Sequence, residues 1–262
     1  MPMIEADHQL IHYLAWGEAG FKPVLLLHGL TGCGAIWEHV AGKLAEAGFL
    51  VIAPDLRQHG HSGKSGEYSL QAYSSDIIGL IEKLSLPPGY LVGHSFGAAV
   101  AWETAVQRAD WAEKLVIEDH HPEAAMSTLP YWQEWAASWP QQFPSRQAAI
   151  SYLQQEKRSL AWWEPSLIPL SDGSWGWAFS TDAMVETIRL SYQQDHWQRL
   201  AAIQAPTLIV RGGSSTHLKQ EVAERMTRVI PDCRMIVVPE ADHWVHRNAE
   251  TYVRALLRFF TK

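Results

Sequence analysis

Gly93-His94-Ser95-Phe96-Gly97 sets a serine between two glycines directly after the apolar run Tyr90-Leu91-Val92. Small residues at those flanking positions let a strand turn sharply into a helix, which lifts the serine hydroxyl out of the sheet edge and aims it at solvent. The residues that follow, Ala98-Ala99-Val100-Ala101-Trp102 and Ala105-Val106, read as a helix packed closely on a sheet. The rest of the chain must then supply that sheet.

It does so as a series of short apolar runs. Val24-Leu25-Leu26-Leu27 is continuous in the manner of a strand buried on both faces. The same character recurs at Phe49 to Ala53, Tyr90 to Val92, Leu115 to Ile117, Thr207 to Val210 and Met235 to Val238, with Ile11 to Trp16 as an early edge strand. Helical patterns fall between them at Ile36–Ala47, Leu70–Leu84, Ala98–Arg108, Gln220–Val229 and Ala249–Phe260. This alternation predicts an α/β fold with a mostly parallel central sheet flanked by helices. Functional residues are then expected in loops beyond the carboxyl ends of the strands.

The rhythm breaks between His121 and Leu200, a segment rich in Trp, Gln, Ser and Pro that holds no clear buried strand. It is too long for an ordinary loop. We read residues 121–200 as an inserted helical cap, with helices over Met184–Tyr192 and Pro144–Leu160, and residues 1–120 and 201–262 as the core.

Composition narrows the class. At 262 residues and 47% hydrophobic content the chain can bury a substantial core and is not a disordered protein. A formal charge of −7 without a basic cluster argues against nucleic acid or an anionic membrane as partner. The amino-terminal residues do not read as a secretion signal, and no segment reaches the roughly 20 apolar residues of a membrane span. With only Cys33 and Cys233, a disulfide scaffold is not expected, and a cytoplasmic setting is the default. Sequence leaves the oligomeric state open.

A serine hydroxyl is a poor nucleophile at neutral pH unless a base takes its proton. Among thirteen histidines, His243 follows the last apolar run directly, in Val238-Pro-Glu-Ala-Asp-His-Trp-Val-His, where a loop returns it to the sheet edge. His246 is the alternative base. The imidazole needs a carboxylate to orient it, but the turn Gly213-Ser214-Ser215 after Val210 has none. Asp119, at the end of Leu115-Val-Ile-Glu-Asp, is the preferred acid, with Glu118 and Glu221 as alternatives. Because neighbours on a strand face opposite ways, Glu118 and Asp119 are not expected to serve equally. Acyl transfer also needs donors for the developing oxyanion. The backbone N–H of Phe96 and that of Leu30, in His28-Gly29-Leu30-Thr31-Gly32, are placed to provide them.

Together His28-Gly29, the stretch Asp55-Leu56-Arg57-Gln58-His59-Gly60-His61-Ser62, Gly93-His94-Ser95-Phe96-Gly97 and Asp242-His243 resemble the α/β-hydrolase superfamily, especially its small capped esterase-like members. The resemblance spans nearly the whole chain. Many members place the acid in the turn where this chain has Gly213-Ser214-Ser215, whereas others use the end of the preceding strand, which corresponds to Asp119. It implies a serine carboxylesterase acting on small to medium ester substrates, with lactone, amide or carbon–carbon bond hydrolysis as alternatives. A noncatalytic receptor for a small apolar ligand is a further reading. No cofactor or metal is required, although His120-His121, Glu118-Asp119, His59 and His61 offer ligand types. Trp132, Trp135, Trp139, Trp162, Trp163, Trp175 and Trp177 are the candidate walls of a substrate pocket.

Overall fold

The computed structural model describes residues 2–6, 9–64 and 66–261, with the side chains of residues 161 and 162 outside the described set. The core opens with strands β1 (Met3–Ala6), β2 (Gln9–Trp16) and β3 (Lys22–Leu27), helix α1 (Glu38–Glu46) and strand β4 (Phe49–Pro54). It continues through α2 (Leu70–Lys83), β5 (Gly89–His94), α3 (Phe96–Gln107) and β6 (Ala112–Glu118). The inserted segment carries α4 (Leu129–Ala137), β7 (Gln142–Phe143), α5 (Arg146–Gln155), α6 (Leu160–Trp163), β8 (Leu167–Pro169), β9 (Trp175–Trp177), α7 (Thr181–Ser191) and α8 (Trp197–Ala201). The core closes with β10 (Thr207–Gly212), α9 (Gln220–Val229), β11 (Cys233–Val238) and α10 (Ala249–Phe260).

The eight core strands form one sheet in the order β1-β2-β4-β3-β5-β6-β10-β11. All pairings from β4 to β11 are parallel, and β1 and β2 join antiparallel. The continuous apolar runs explain the two layers of helices. Along β3, Leu25 and Leu27 point to the cluster that includes α2, α3 and α9. Val24 and Leu26 point to the cluster with α1 and α10. A strand buried on both faces has no polar position to spare, hence the absence of alternation in its sequence.

Strand order reverses at β3, whose neighbours are β4 on one side and β5 on the other. The carboxyl ends of strands at such a reversal border a crevice, the usual ligand position of open α/β sheets.

Two expectations change. Ile11–Trp16 does not lie at the sheet edge, because Met3–Ala6 pairs outside β2 with Ile4 opposite Ile11. The cap is not purely helical, since β7, β9 and β8 form a small antiparallel sheet. Strands of two or three residues leave no period to read.

The cap is tied to the loops it covers. Ser166 Oγ donates to the Thr31 carbonyl at 3.0 Å and the Cys33 thiol to Pro165 O at 3.2 Å, while Gly60 N–H donates to Ala178 O. No helix among the described residues is long and apolar enough to cross a membrane.

Candidate active site

Ser95 occupies the turn between β5 and α3 with φ 52° and ψ −127°. A non-glycine residue there carries strain of about 1–3 kcal/mol, and the surroundings hold it in place. Its N–H donates to Glu118 O at 2.9 Å, and its carbonyl accepts the Ala98 N–H at 2.8 Å. The flanking glycines are required by space. A Cβ on Gly93 would lie 2.2 Å from the Gly97 carbonyl oxygen, and one on Gly97 would lie 2.3 Å from that of Leu27.

The loop after β3 comes close to this turn. A Cβ on Gly29 would sit 3.1 Å from the Cβ of Ser95. His28 fixes the loop from beneath, its Nδ1–H donating to Gly29 O at 2.8 Å while Nε2 accepts the Leu56 N–H at 3.0 Å. That arrangement needs a neutral ring, and burial, together with neighbouring His59, lowers the His28 pKa to about 3. His59 Nε2 contacts the Leu30 carbonyl at 2.8 Å, and a turn closes between Gly32 N–H and Gly29 O. The N–H of Phe96 belongs to the first turn of α3, where backbone donors have no partner within the helix. Leu30 and Phe96 both line the cavity over Ser95.

Asp119 follows β6 in a left-handed conformation, φ 48°. Its Oδ2 lies 2.8 Å from His243 Nδ1 and accepts the Ser215 hydroxyl at 2.5 Å, while Oδ1 accepts the Gly212 N–H at 3.1 Å. The turn Gly213-Ser214-Ser215 therefore contributes a hydroxyl to a carboxylate borne by the neighbouring strand. Glu118 points the other way and takes both the backbone N–H and the ring Nδ1 of His246, at 2.9 and 2.7 Å. The alternative base and the alternative acid thus pair with each other, away from the cavity. Glu221, the remaining alternative, is exposed on α9.

Further imidazoles surround His243. His94 Nε2–H donates to the His243 carbonyl at 3.0 Å, the His217 and His243 ring centres are 4.4 Å apart, and His120 Nδ1 meets His217 Nε2 at 3.2 Å. Burial first, and the neighbouring imidazoles second, hold His94, His120 and His217 well below the ordinary histidine range. They are neutral polar walls at neutral pH. His94, Glu118 and His246 bring potential ligand atoms within 4.8 Å of one another. His94 Nε2 and His246 Nδ1 are already engaged by the hydrogen bonds above.

Ser95 and His243 open on a cavity of about 220 Å³ roofed by the cap. Trp132, Trp135 and Trp163 line it, and Trp244, beside His243, is an additional wall. Trp139 and Trp177 instead face the cap's own core, at 2% and 6% exposure, and Trp175 packs against the same cluster. These three are corrected from pocket residues to cap-core residues. The side chain of Trp162 falls outside the described residues. Tyr192, Met184 and Ile188 line the cavity from α7 and its end, but an apolar cap helix does not reveal from sequence which way it faces.

The fold and the loop constellation define an α/β-hydrolase, and the chain belongs to that family: the model described as the alpha/beta hydrolase fold matches residues 22–249. Among its relatives, an sn-1-specific diacylglycerol lipase of Mus musculus is 29% identical over 253 residues, covering 91% of this chain and 80% of the relative. The 2-(acetamidomethylene)succinate hydrolase of Mesorhizobium japonicum is 30% identical over 255 residues, covering 92% and 89%. The crystal structure of an E-2-(acetamidomethylene)succinate hydrolase superposes with a TM-score of 0.88 at 27% identity, covering 100% of this chain and 98% of the other. A catalytic α/β-hydrolase fold with a triad-like polar cluster is the framework of a hydrolytic enzyme.

Proposed function

We propose that the protein is a serine carboxylesterase that hydrolyses small to medium esters through an acyl-enzyme on Ser95. The observation that carries this reading is the Asp119–His243 hydrogen bond, 2.8 Å long, which places an oriented imidazole at the same cavity as the serine turn.

In this reading His243 takes the Ser95 proton as Oγ attacks the ester carbonyl carbon. The carbonyl electron pair moves onto oxygen, held by the N–H groups of Leu30 and Phe96. The oxyanion collapses, the carbon–oxygen bond to the alcohol breaks, and protonated His243 gives its proton to the departing oxygen. Water then repeats the sequence on the acyl-enzyme, releasing the acid and restoring Ser95. Asp119 keeps the proton of His243 on Nδ1, leaving Nε2 as the base, and stabilises the imidazolium. The neutral rings of His120 and His217 add polarity without a competing charge.

Cavity volume supports small acyl groups, since about 220 Å³ is below the roughly 300–1,000 Å³ of sites for drug-sized ligands. The aromatic lining favours apolar or aromatic substituents. A series of p-nitrophenyl esters of increasing acyl length, assayed with the native protein and Ser95→Ala, tests the proposal. Turnover of the short esters that disappears in the variant is expected. Equal rates from both proteins contradict it and return the noncatalytic receptor to first place.

A further inference from the structure

Arg158 stands apart from other arginines of the cap. Arg146, Arg189 and Arg199 each pair with a carboxylate, of Glu164, Glu186 and Glu103 respectively. Arg158 lines the cavity that holds Ser95 and His243, and among the described residues it has no ion-pair partner there: no Asp or Glu contributes to the lining. Its Nε is buried without a hydrogen-bond acceptor.

The guanidinium is nevertheless held in place. Its carbon lies 4.3 Å from the ring centre of Trp139 and 5.4 Å from that of Trp163. A cation–π contact with indole consumes none of the guanidinium N–H groups, which stay available to an acceptor. A planar fork of donors fits a carboxylate through two parallel hydrogen bonds, a geometry that an ammonium cannot reproduce. An aromatic cavity that contains a guanidinium favours a ligand bringing the opposite charge.

We infer that Arg158 is a specificity-determining residue, and that the substrates of this site carry a carboxylate at a distance from the bond that is cleaved. The inference rests on the hydrolytic reading of Ser95 and narrows it from apolar esters to anionic ones with an apolar or aromatic body. Trp139, the nearer ring, and Trp163 beside it then act as the platform that orients the guanidinium.

Two matched pairs of esters test this in a pH-stat. Monomethyl adipate and methyl hexanoate differ by a carboxylate on the acyl side. The pair 4-acetoxybenzoate and 4-methylphenyl acetate differs by a carboxylate on the alcohol side. In at least one pair the native protein is expected to favour the anionic ester by tenfold or more in kcat/KM. Arg158→Met should abolish that preference while changing the neutral ester less than about threefold, and Arg158→Lys should restore it in part. A native protein without anionic preference in either pair, a preference that survives in Arg158→Met, or an equal loss on both members overturns the inference.

Binding separates this from a failure of the hydrolytic reading. Hexanoate and 4-methylbenzoate are titrated into the native protein and Arg158→Met by tryptophan fluorescence. Absence of Ser95-dependent turnover with binding weakened tenfold or more by Arg158→Met contradicts the esterase but retains the anion site. Equal binding to both proteins contradicts the anion site whatever the turnover.

Discussion

Asp119 Oδ2 and His243 Nδ1 lie 2.8 Å apart across 124 residues of sequence, and the same oxygen accepts the hydroxyl of Ser215 at 2.5 Å. The carboxylate is fully buried, so its three hydrogen bonds replace the water it has lost. Asp119→Asn preserves the volume but offers an amide where the imidazole proton needs an acceptor. A fall in kcat of roughly 10³- to 10⁴-fold is expected with an unchanged circular dichroism spectrum. Ser215→Ala removes one supporting donor and should lower kcat by about tenfold or less. Near-normal turnover in Asp119→Asn assigns the role to another carboxylate.

Glycine substitutions separate sites with room from sites without it. A methyl at Gly97 would meet the carbonyl oxygens of Leu27 and His28 at 2.3 and 2.5 Å, both of them backbone atoms that cannot swing aside. Gly97→Ala is therefore expected to destabilise the protein by at least about 2 kcal/mol in urea denaturation. At Gly42, on α1, an added Cβ meets nothing within 4 Å. Gly42→Ala should stabilise by about 0.5–1 kcal/mol, because alanine loses less conformational freedom in a helix.

The motif following β4 carries a structural ion pair as well as loops near the site. Arg57 binds Asp76 through two bonds of 2.7 Å, with side chains 5% and 1% exposed. Removing one partner strands a buried charge. Asp76→Ala should cost about 3–5 kcal/mol, and Arg57→Met combined with Asp76→Leu should recover much of that loss. Denaturation midpoints of the single and double variants decide the matter, and an additive double loss contradicts it.

Stability should fall on mild acidification. Burial holds His28 at about 3, and it also lowers His59, His94, His120 and His217. In the unfolded chain these rings titrate near 6.5, so between pH 6.5 and the lower folded values the unfolded state binds more protons. Their contribution is complete above pH 6.5 and is lost as pH descends through that window. Urea midpoints at pH 7.5, 6 and 5 are expected to decrease in that order. A flat or rising series contradicts the neutral, buried state of these rings.

The core was readable in the sequence because strands such as Val24–Leu27 are buried on both faces and helices such as Gln220–Val229 and Ala249–Phe260 are strongly amphipathic. The position of Asp119 followed from its place after a core strand. Its support by Ser215 did not, since a serine in a glycine-rich turn carries no sign of a partner 96 residues away. Nor could sequence orient the cap. Trp135, on α4, lines the cavity, whereas Trp139, two residues past the end of that helix, packs in the cap core, a distinction that depends on where the helix stops. β1 and the cap strands escaped notice because two to four residues cannot establish an alternating pattern.

Labelling with a serine-directed fluorophosphonate, followed by peptide mass analysis and assayed beside turnover of a short p-nitrophenyl ester, probes Ser95 directly. The expected result is one adduct, on Ser95, whose formation parallels the loss of activity and which is abolished in Ser95→Ala and strongly slowed in His243→Ala. Full ester turnover by Ser95→Ala, or inactivation with the adduct on another residue, would contradict a serine hydrolase built on this turn.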